Sequence, residues 1–270
     1  MKLTSLLLAL TLALAGCYTN PVTGRQTLVL LSQSEELKLG TDSFKQIREK
    51  EKPSTDGGNN ARVTRVGQRI ATAVGGDLPD AKWEFVVFDS KDVNAFALPG
   101  GKVGVYSGLL KLAESDAELA IVMGHEIGHV TARHGNERMS EAMVISGVGA
   151  LGAAVVEAKT EDSKTRQLFD LAYGGLTTVG VALPHSRGNE SEADKMGAIY
   201  AARAGYDPRA SVTFWQKMLA QKQAAGGKPG EKVSAMMSTH PADEKRIADL
   251  KALMPTVVPI YEQNRGKYQN

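Results

Sequence analysis

The chain has 270 residues, 32 basic and 30 acidic side chains, a formal net charge of +2, 42% apolar residues and a single cysteine. That length and apolar share suit one domain with a sizeable core. Balanced charge without a basic patch interleaved with aromatics excludes a nucleic-acid binder, and a lone cysteine excludes an intramolecular disulfide.

Residues 1–16 read as a signal peptide, with Met1-Lys2 as a basic start and Leu6 to Ala15 as an apolar core. The core is shorter than the ~20 residues a membrane span needs. The ending Leu14-Ala15-Gly16-Cys17 resembles a bacterial lipobox, which implies cleavage before Cys17 and lipid attachment to that residue. Several acyl chains together make a stable anchor where one does not. Tyr18 in place of aspartate after the cysteine resembles enterobacterial lipoproteins of the outer membrane, so the resemblance implies a lipid-anchored chain facing the periplasm. Residues 17–30, through Asn20-Pro21-Val22-Thr23-Gly24-Arg25, are expected as an extended tether, 31–255 as the folded domain and 256–270 as a C-terminal tail.

A helix is expected at about 33–50, a loop over 51–60 with Pro53 and Gly57-Gly58, and a second helix at 61–74. Trp83 to Phe88 alternates as a strand, and 94–98 with 102–106 reads as a hairpin around Pro99-Gly100-Gly101. Such a hairpin either offers an edge on which an extended peptide adds as a further strand or lies covered in the core.

Ser115 to Glu118 is a capping-box pattern, and the proline-free run behind it predicts one helix reaching Met139. Within it, residues 125–129 read His-Glu-Ile-Gly-His. Positions four apart share a helix face, so His125 and His129 offer two imidazoles to one metal ion. Glu126 lies about 100° round the helix, placed to reach a metal-activated water as a base. Gly124 and Gly128 are poor helix formers whose use is the close approach of a neighbouring backbone. A third histidine ligand would need Gly at 132 and His at 135, where Ala132 and Gly135 stand. The remaining source is a later helix, on which Glu190 and Asp194 share a face. Glu190 is the candidate third ligand, and Asp194 can accept the outward N–H of a ligand histidine. Glu192, about 200° from Glu190, faces elsewhere.

The apolar runs 142–156 and 167–183 are interrupted too soon for a span and read as buried helices, with a membrane-touching or lid segment as the alternative. His240, after a Gly-rich stretch, is a candidate either for stabilising an oxyanion or for plugging the metal as a fourth ligand; capping the helix at 241–253 is the structural alternative. Arg187 is a second candidate for the oxyanion or for a salt bridge, and His134 is expected to be structural.

HEIGHVTARHG at 125–135, SRGNESEADKMG at 186–197 and THPADEKRI at 239–247, with NAFALPGGKVGVYSGLL at 94–110, together resemble the zinc metallopeptidase family that includes the HtpX-type heat-shock proteases and the CAAX prenyl proteases. The resemblance spans roughly residues 20–255. It implies an α+β, predominantly helical gluzincin fold with a small β-sheet beside the HEXXH helix, and one Zn2+ per chain. It also implies His125, His129 and Glu190 as ligands, Glu126 as catalytic base and Asp194 behind a ligand. Polypeptide substrates, among them misfolded or unassembled envelope proteins, follow from the same resemblance. The competing class is an outer-membrane chaperone or adaptor that keeps a structural zinc closed by four protein ligands.

Overall fold

The computed structural model describes residues 16–145, 165, 166, 169, 172, 186–224 and 235–268. The signal core at 1–15, most of the apolar runs 142–156 and 167–183, and the Gly-rich stretch before His240 lie outside the described residues.

The chain enters as an antiparallel hairpin, β1 (Cys17–Thr19) against β2 (Gln26–Leu28), with Cys17 opposite Leu28. Asn20 Oδ1 accepts the Val22 N–H at 2.9 Å, and the Asn20 N–H donates to the Arg25 carbonyl at 2.8 Å. Residues 20–25 are therefore a closed turn rather than the expected extended tether, because their polar groups find partners within the turn and on the domain.

Helix α1 (Gln33–Lys50) has the expected bounds and begins with a capping box between Ser32 and Glu35. It buries Leu39, Phe44 and Ile47. Helix α2 (Gly57–Val74) starts earlier than composition suggests, since the Asp56 side chain caps it by accepting the Asn59 N–H at 3.0 Å. That cap offsets the poor propensity of Gly57-Gly58. Val63, Val66, Ile70 and Val74 line its buried face.

Strands β3 (Glu84–Phe88), β4 (Ala95–Leu98) and β5 (Lys102–Tyr106) form a sheet ordered β3-β5-β4. β5 pairs parallel with β3 and antiparallel with β4. The β4–β5 turn places Gly100 at φ 89° and Gly101 at φ 77°, which is why two glycines stand there. Among the described residues β4 pairs on one side only, and its side chains are buried.

A short helix α3 (Ser107–Leu112) leads to α4 (Asp116–Thr131), capped by Ser115 and Glu118 as expected. Every residue of α4 from Glu118 to Thr131 is buried, so this helix is the centre of the core. The single helix expected to reach Met139 is in fact two. Arg133 adopts φ 56°, α4 stops, and α5 (His134–Ile145) starts in a new direction. The Arg133 side chain holds the turn by bonding Glu36 and the Leu31 carbonyl and by lying over the Tyr18 ring.

Helices α6 (Arg187–Arg203), α7 (Ala210–Ala224), α8 (Ala235–Thr239) and α9 (Glu244–Asn264) complete the described chain. Asp243, not His240, caps α9, accepting the Arg246 N–H at 2.8 Å. α9 runs on through residues expected as a tail, because Val257 is buried against Ala198 and Ile199 of α6. The architecture is α+β and predominantly helical, with the small sheet beside α4. No helix among the described residues is long and apolar enough to cross a membrane.

Candidate metal centre and active site

The site forms where α4 and α6 cross at backbone distance. A Cβ on Gly124 would lie 3.0 Å from the Gly197 carbonyl oxygen, and one on Gly197 would lie 2.8 Å from the His125 nitrogen. Only glycine permits that approach, and the approach brings Glu190 of α6 to the two histidines of α4.

His125 Nε2 and His129 Nε2 stand 3.0 Å apart. Glu190 Oε1 is 3.3 Å from His129 Nε2, and its Oε2 is 3.5 Å from His125 Nε2. His240, just after α8, closes the group: its Nδ1 is 2.9 Å from Glu190 Oε1 and 3.2 Å from His125 Nε2. Ligand atoms of these four buried residues lie within 4.8 Å of one another. Atoms bound at about 2.0–2.2 Å to a tetrahedral zinc ion sit about 3.3 Å apart, so the spacing fits such an ion. The donor set fits as well, since imidazoles and one carboxylate suit zinc. Glu126 Oε1 is buried without a hydrogen-bond partner among the described residues, which leaves its lone pairs available to a water beside the four-residue cluster.

The surroundings set the charges. The outward Nδ1 of His125 is 2.9 Å from Asp194 Oδ1, the partnership expected from spacing. Burial opposes charge on His125, but hydrogen bonds to Asp194 and Glu190 outweigh it and pull its pKa up to about 9. A metal there takes the place of that proton. Burial alone would raise Glu190, yet His240, His125 and His129 hold it ionised, well below the usual carboxylate range. Glu126 is instead pushed up by burial, with its Oε1 3.6 Å from His240 Nε2. Burial thus disfavours the ionised form of Glu126 relative to an exposed carboxylate.

Arg246 of α9 is the residue that sequence reasoning passed over. Its Nε and Nη2 donate to the two Asp194 oxygens at 2.7 Å each, and its Nη1 is 2.9 Å from Glu190 Oε2. The guanidinium lies 3.3 Å from the centre of the Trp215 ring. Arg187, the expected cation, is exposed at the start of α6, on the wall of a cleft of about 280 Å³ also lined by Glu190, Asp194 and Arg246. It lies at the site's edge, and Arg246 forms the salt bridges to the acidic helix. His134 is buried between His129 and Glu192, and Glu192 does face away from Glu190. Cys17 is exposed.

The family model for Peptidase family M48 matches residues 58–254. The chain belongs to peptidase family M48. That membership agrees with the gluzincin arrangement of α4, α6 and the small sheet. Among curated relatives of this M48 member, "Mitochondrial metalloendopeptidase OMA1" of Schizosaccharomyces pombe is 33% identical over 87% of this chain and 66% of its own length. The protein of the same name from Saccharomyces cerevisiae is 30% identical over 94% of this chain and 76% of its own. "Beta-barrel assembly-enhancing protease" of Escherichia coli K12 is 28% identical over 91% of this chain. The chain spans 49% of that relative's length, so it matches about half of it.

Proposed function

We propose that this M48 member is a zinc-dependent endopeptidase, with His125, His129 and Glu190 as zinc ligands and Glu126 as the catalytic base. The observation that carries the reading is the convergence of four buried ligand-type side chains, His125, His129, Glu190 and His240, beside Glu126, whose buried Oε1 has no hydrogen-bond partner among the described residues. Zinc held there supplies the Lewis acidity that makes a water nucleophilic near neutral pH. Glu126 takes that water's proton and returns it to the departing amine. Asp194 orients His125, and Arg246 keeps Asp194 and Glu190 ionised. β4, at the edge of the sheet beside α4, is the strand on which an extended polypeptide substrate adds through main-chain hydrogen bonds.

His240 favours a latent resting form over an oxyanion role. Its Nδ1 points at the point on which the other three ligand atoms converge, so it closes the set as a fourth ligand. Turnover then requires His240 to leave. In the adaptor alternative it stays and the zinc is structural.

The exposed Cys17, preceded by Leu14-Ala15-Gly16, supports lipid attachment, and with Tyr18 it supports an outer-membrane location facing the periplasm. The substrates would then be misfolded or unassembled envelope proteins. Casein degradation by the purified chain, with zinc quantified, tests the peptidase reading. Glu126→Gln should keep zinc and lose about 100-fold or more in rate, as expected for removal of a general base. His240→Ala should raise the rate if His240 is a plug. Zinc bound without cleavage by either the parent chain or His240→Ala would favour the adaptor.

A further inference from the structure

Each histidine of the HEXXH pair has an outward nitrogen, and the two are met differently. His125 Nδ1 meets Asp194 directly at 2.9 Å. His129 Nδ1 meets the Nδ1 of His134, also at 2.9 Å. His134 Nε2 in turn is 3.0 Å from Glu192 Oε2. Two ring nitrogens in contact can share one proton only, and the neighbours decide where it sits. His129 turns Nε2 toward Glu190, so as a neutral ligand it carries its proton on Nδ1 and donates to His134 Nδ1. His134 then carries its own proton on Nε2 and donates it to Glu192. Every donor in this chain faces an acceptor, and it ends on a carboxylate.

Glu192 is held by the N-terminal hairpin. Asn20 Nδ2 donates to Glu192 Oε1 at 2.8 Å, Thr23 Oγ1 bonds the same oxygen, and Arg25 Nε bonds Oε2. The Arg25 guanidinium continues to Glu137 of α5 through two bonds of 2.7 Å, which fixes the helix that begins with His134. Tyr18 adds a hydrogen bond of 2.6 Å to the Thr131 carbonyl at the end of α4. These contacts join segments more than 100 positions apart in sequence, and all of them surround the turn between His129 and His134.

We propose that the N-terminal hairpin and the His134–Glu192 pair form a second orienting arm of the metal centre, which positions His129 as Asp194 positions His125. The inference rests on the reading of His125, His129 and Glu190 as metal ligands. His134, Glu192, Asn20, Thr23 and Arg25 are positioning residues in it, since none touches the metal or a substrate. Removing an outer partner of a ligand histidine typically weakens metal binding by about 10–100-fold.

The test is the zinc dissociation constant of the purified full-length chain, measured by competition with a chromogenic chelator. His134→Phe keeps a ring in the buried space and removes both nitrogens; it should weaken zinc binding by about 10–100-fold. The double variant Thr23→Ala/Arg25→Ala, at part-exposed positions, should weaken it by a smaller factor, and Arg25→Lys should recover part of that loss. Thermal unfolding with and without zinc separates positioning from bulk stability. A purely structural arm lowers both midpoints equally and leaves the dissociation constant alone. Folded His134→Phe and double variants that bind zinc as tightly as the parent would overturn the proposal. Should His134→Phe not fold, the double variant decides by the same criterion. A parent chain that binds no zinc would instead remove the metal-centre reading itself.

Discussion

Arg246 is buried between two carboxylates and an indole, and its removal has a calculable consequence. Without it Asp194 and Glu190 face each other's charge in a buried site, and breaking a buried pair typically costs about 3–5 kcal/mol. Arg246→Ala should lower the unfolding free energy by about that much in a urea titration. Arg246→Lys, which keeps the charge but loses the two-pronged contact with Asp194, should lose less. A wild-type urea midpoint for Arg246→Ala would mean that the carboxylates are neutralised by other groups. At this scale the clustering of the candidate ligands was legible in sequence, because His125 and His129 sit on one helix and Glu190 and Asp194 on another, where spacing dictates which side chains share a face. Arg246 was not, although it lies within the 239–247 segment. Its partners are 52 and 56 positions away, and only the packing of α9 on α6 brings them together. Arg187 drew attention through proximity in sequence to Glu190, which a helix start does not turn into contact.

The crossing of α4 and α6 depends on small residues on both helices. A methyl group at position 197 would fall 2.8 Å from the His125 backbone nitrogen, and the atom it meets is part of a rigid helix. Gly197→Ala should therefore push the helices apart, lower stability by about 1–3 kcal/mol and weaken metal binding, since Glu190 rides on α6 and the histidines on α4. Equal stability and zinc affinity in Gly197→Ala would show that the crossing has slack. The use of Gly124 and Gly128 was readable because glycine in a strong helix-forming run needs a packing reason. Capped elements were readable too: Ser32 with Glu35 and Ser115 with Glu118 start α1 and α4 where expected. The break at Arg133 was not, because an arginine at positive φ carries no sequence signal and is held by Glu36, Leu31 and Tyr18 from the far end of the chain. The folded state of residues 20–25 was hidden for the same reason, since its partner Glu192 lies 172 positions from Asn20.

The molecule as a whole buries one cluster of ionisable groups while most of its charged side chains stay at the surface. His125, His129, Glu190, His240, Asp194 and Arg246 are all buried, around α4, which is buried from Glu118 to Thr131. A hydrophobic core tolerates such a group only where its charges compensate, and a divalent cation compensates a carboxylate and orders three imidazoles at once. Zinc that binds the folded chain and not the unfolded one adds RT ln(1 + [Zn]/Kd) to stability, about 2.7 kcal/mol at a hundredfold excess over Kd. Unfolding in urea should thus shift to lower denaturant when a strong chelator replaces buffered zinc. Glu126→Gln should retain the whole shift, because Glu126 acts on a proton and not on the metal, whereas His129→Ala should lose most of it. The same midpoint with chelator and with zinc would mean that the buried groups satisfy one another without a metal, and the catalytic reading of the site would fall with that result.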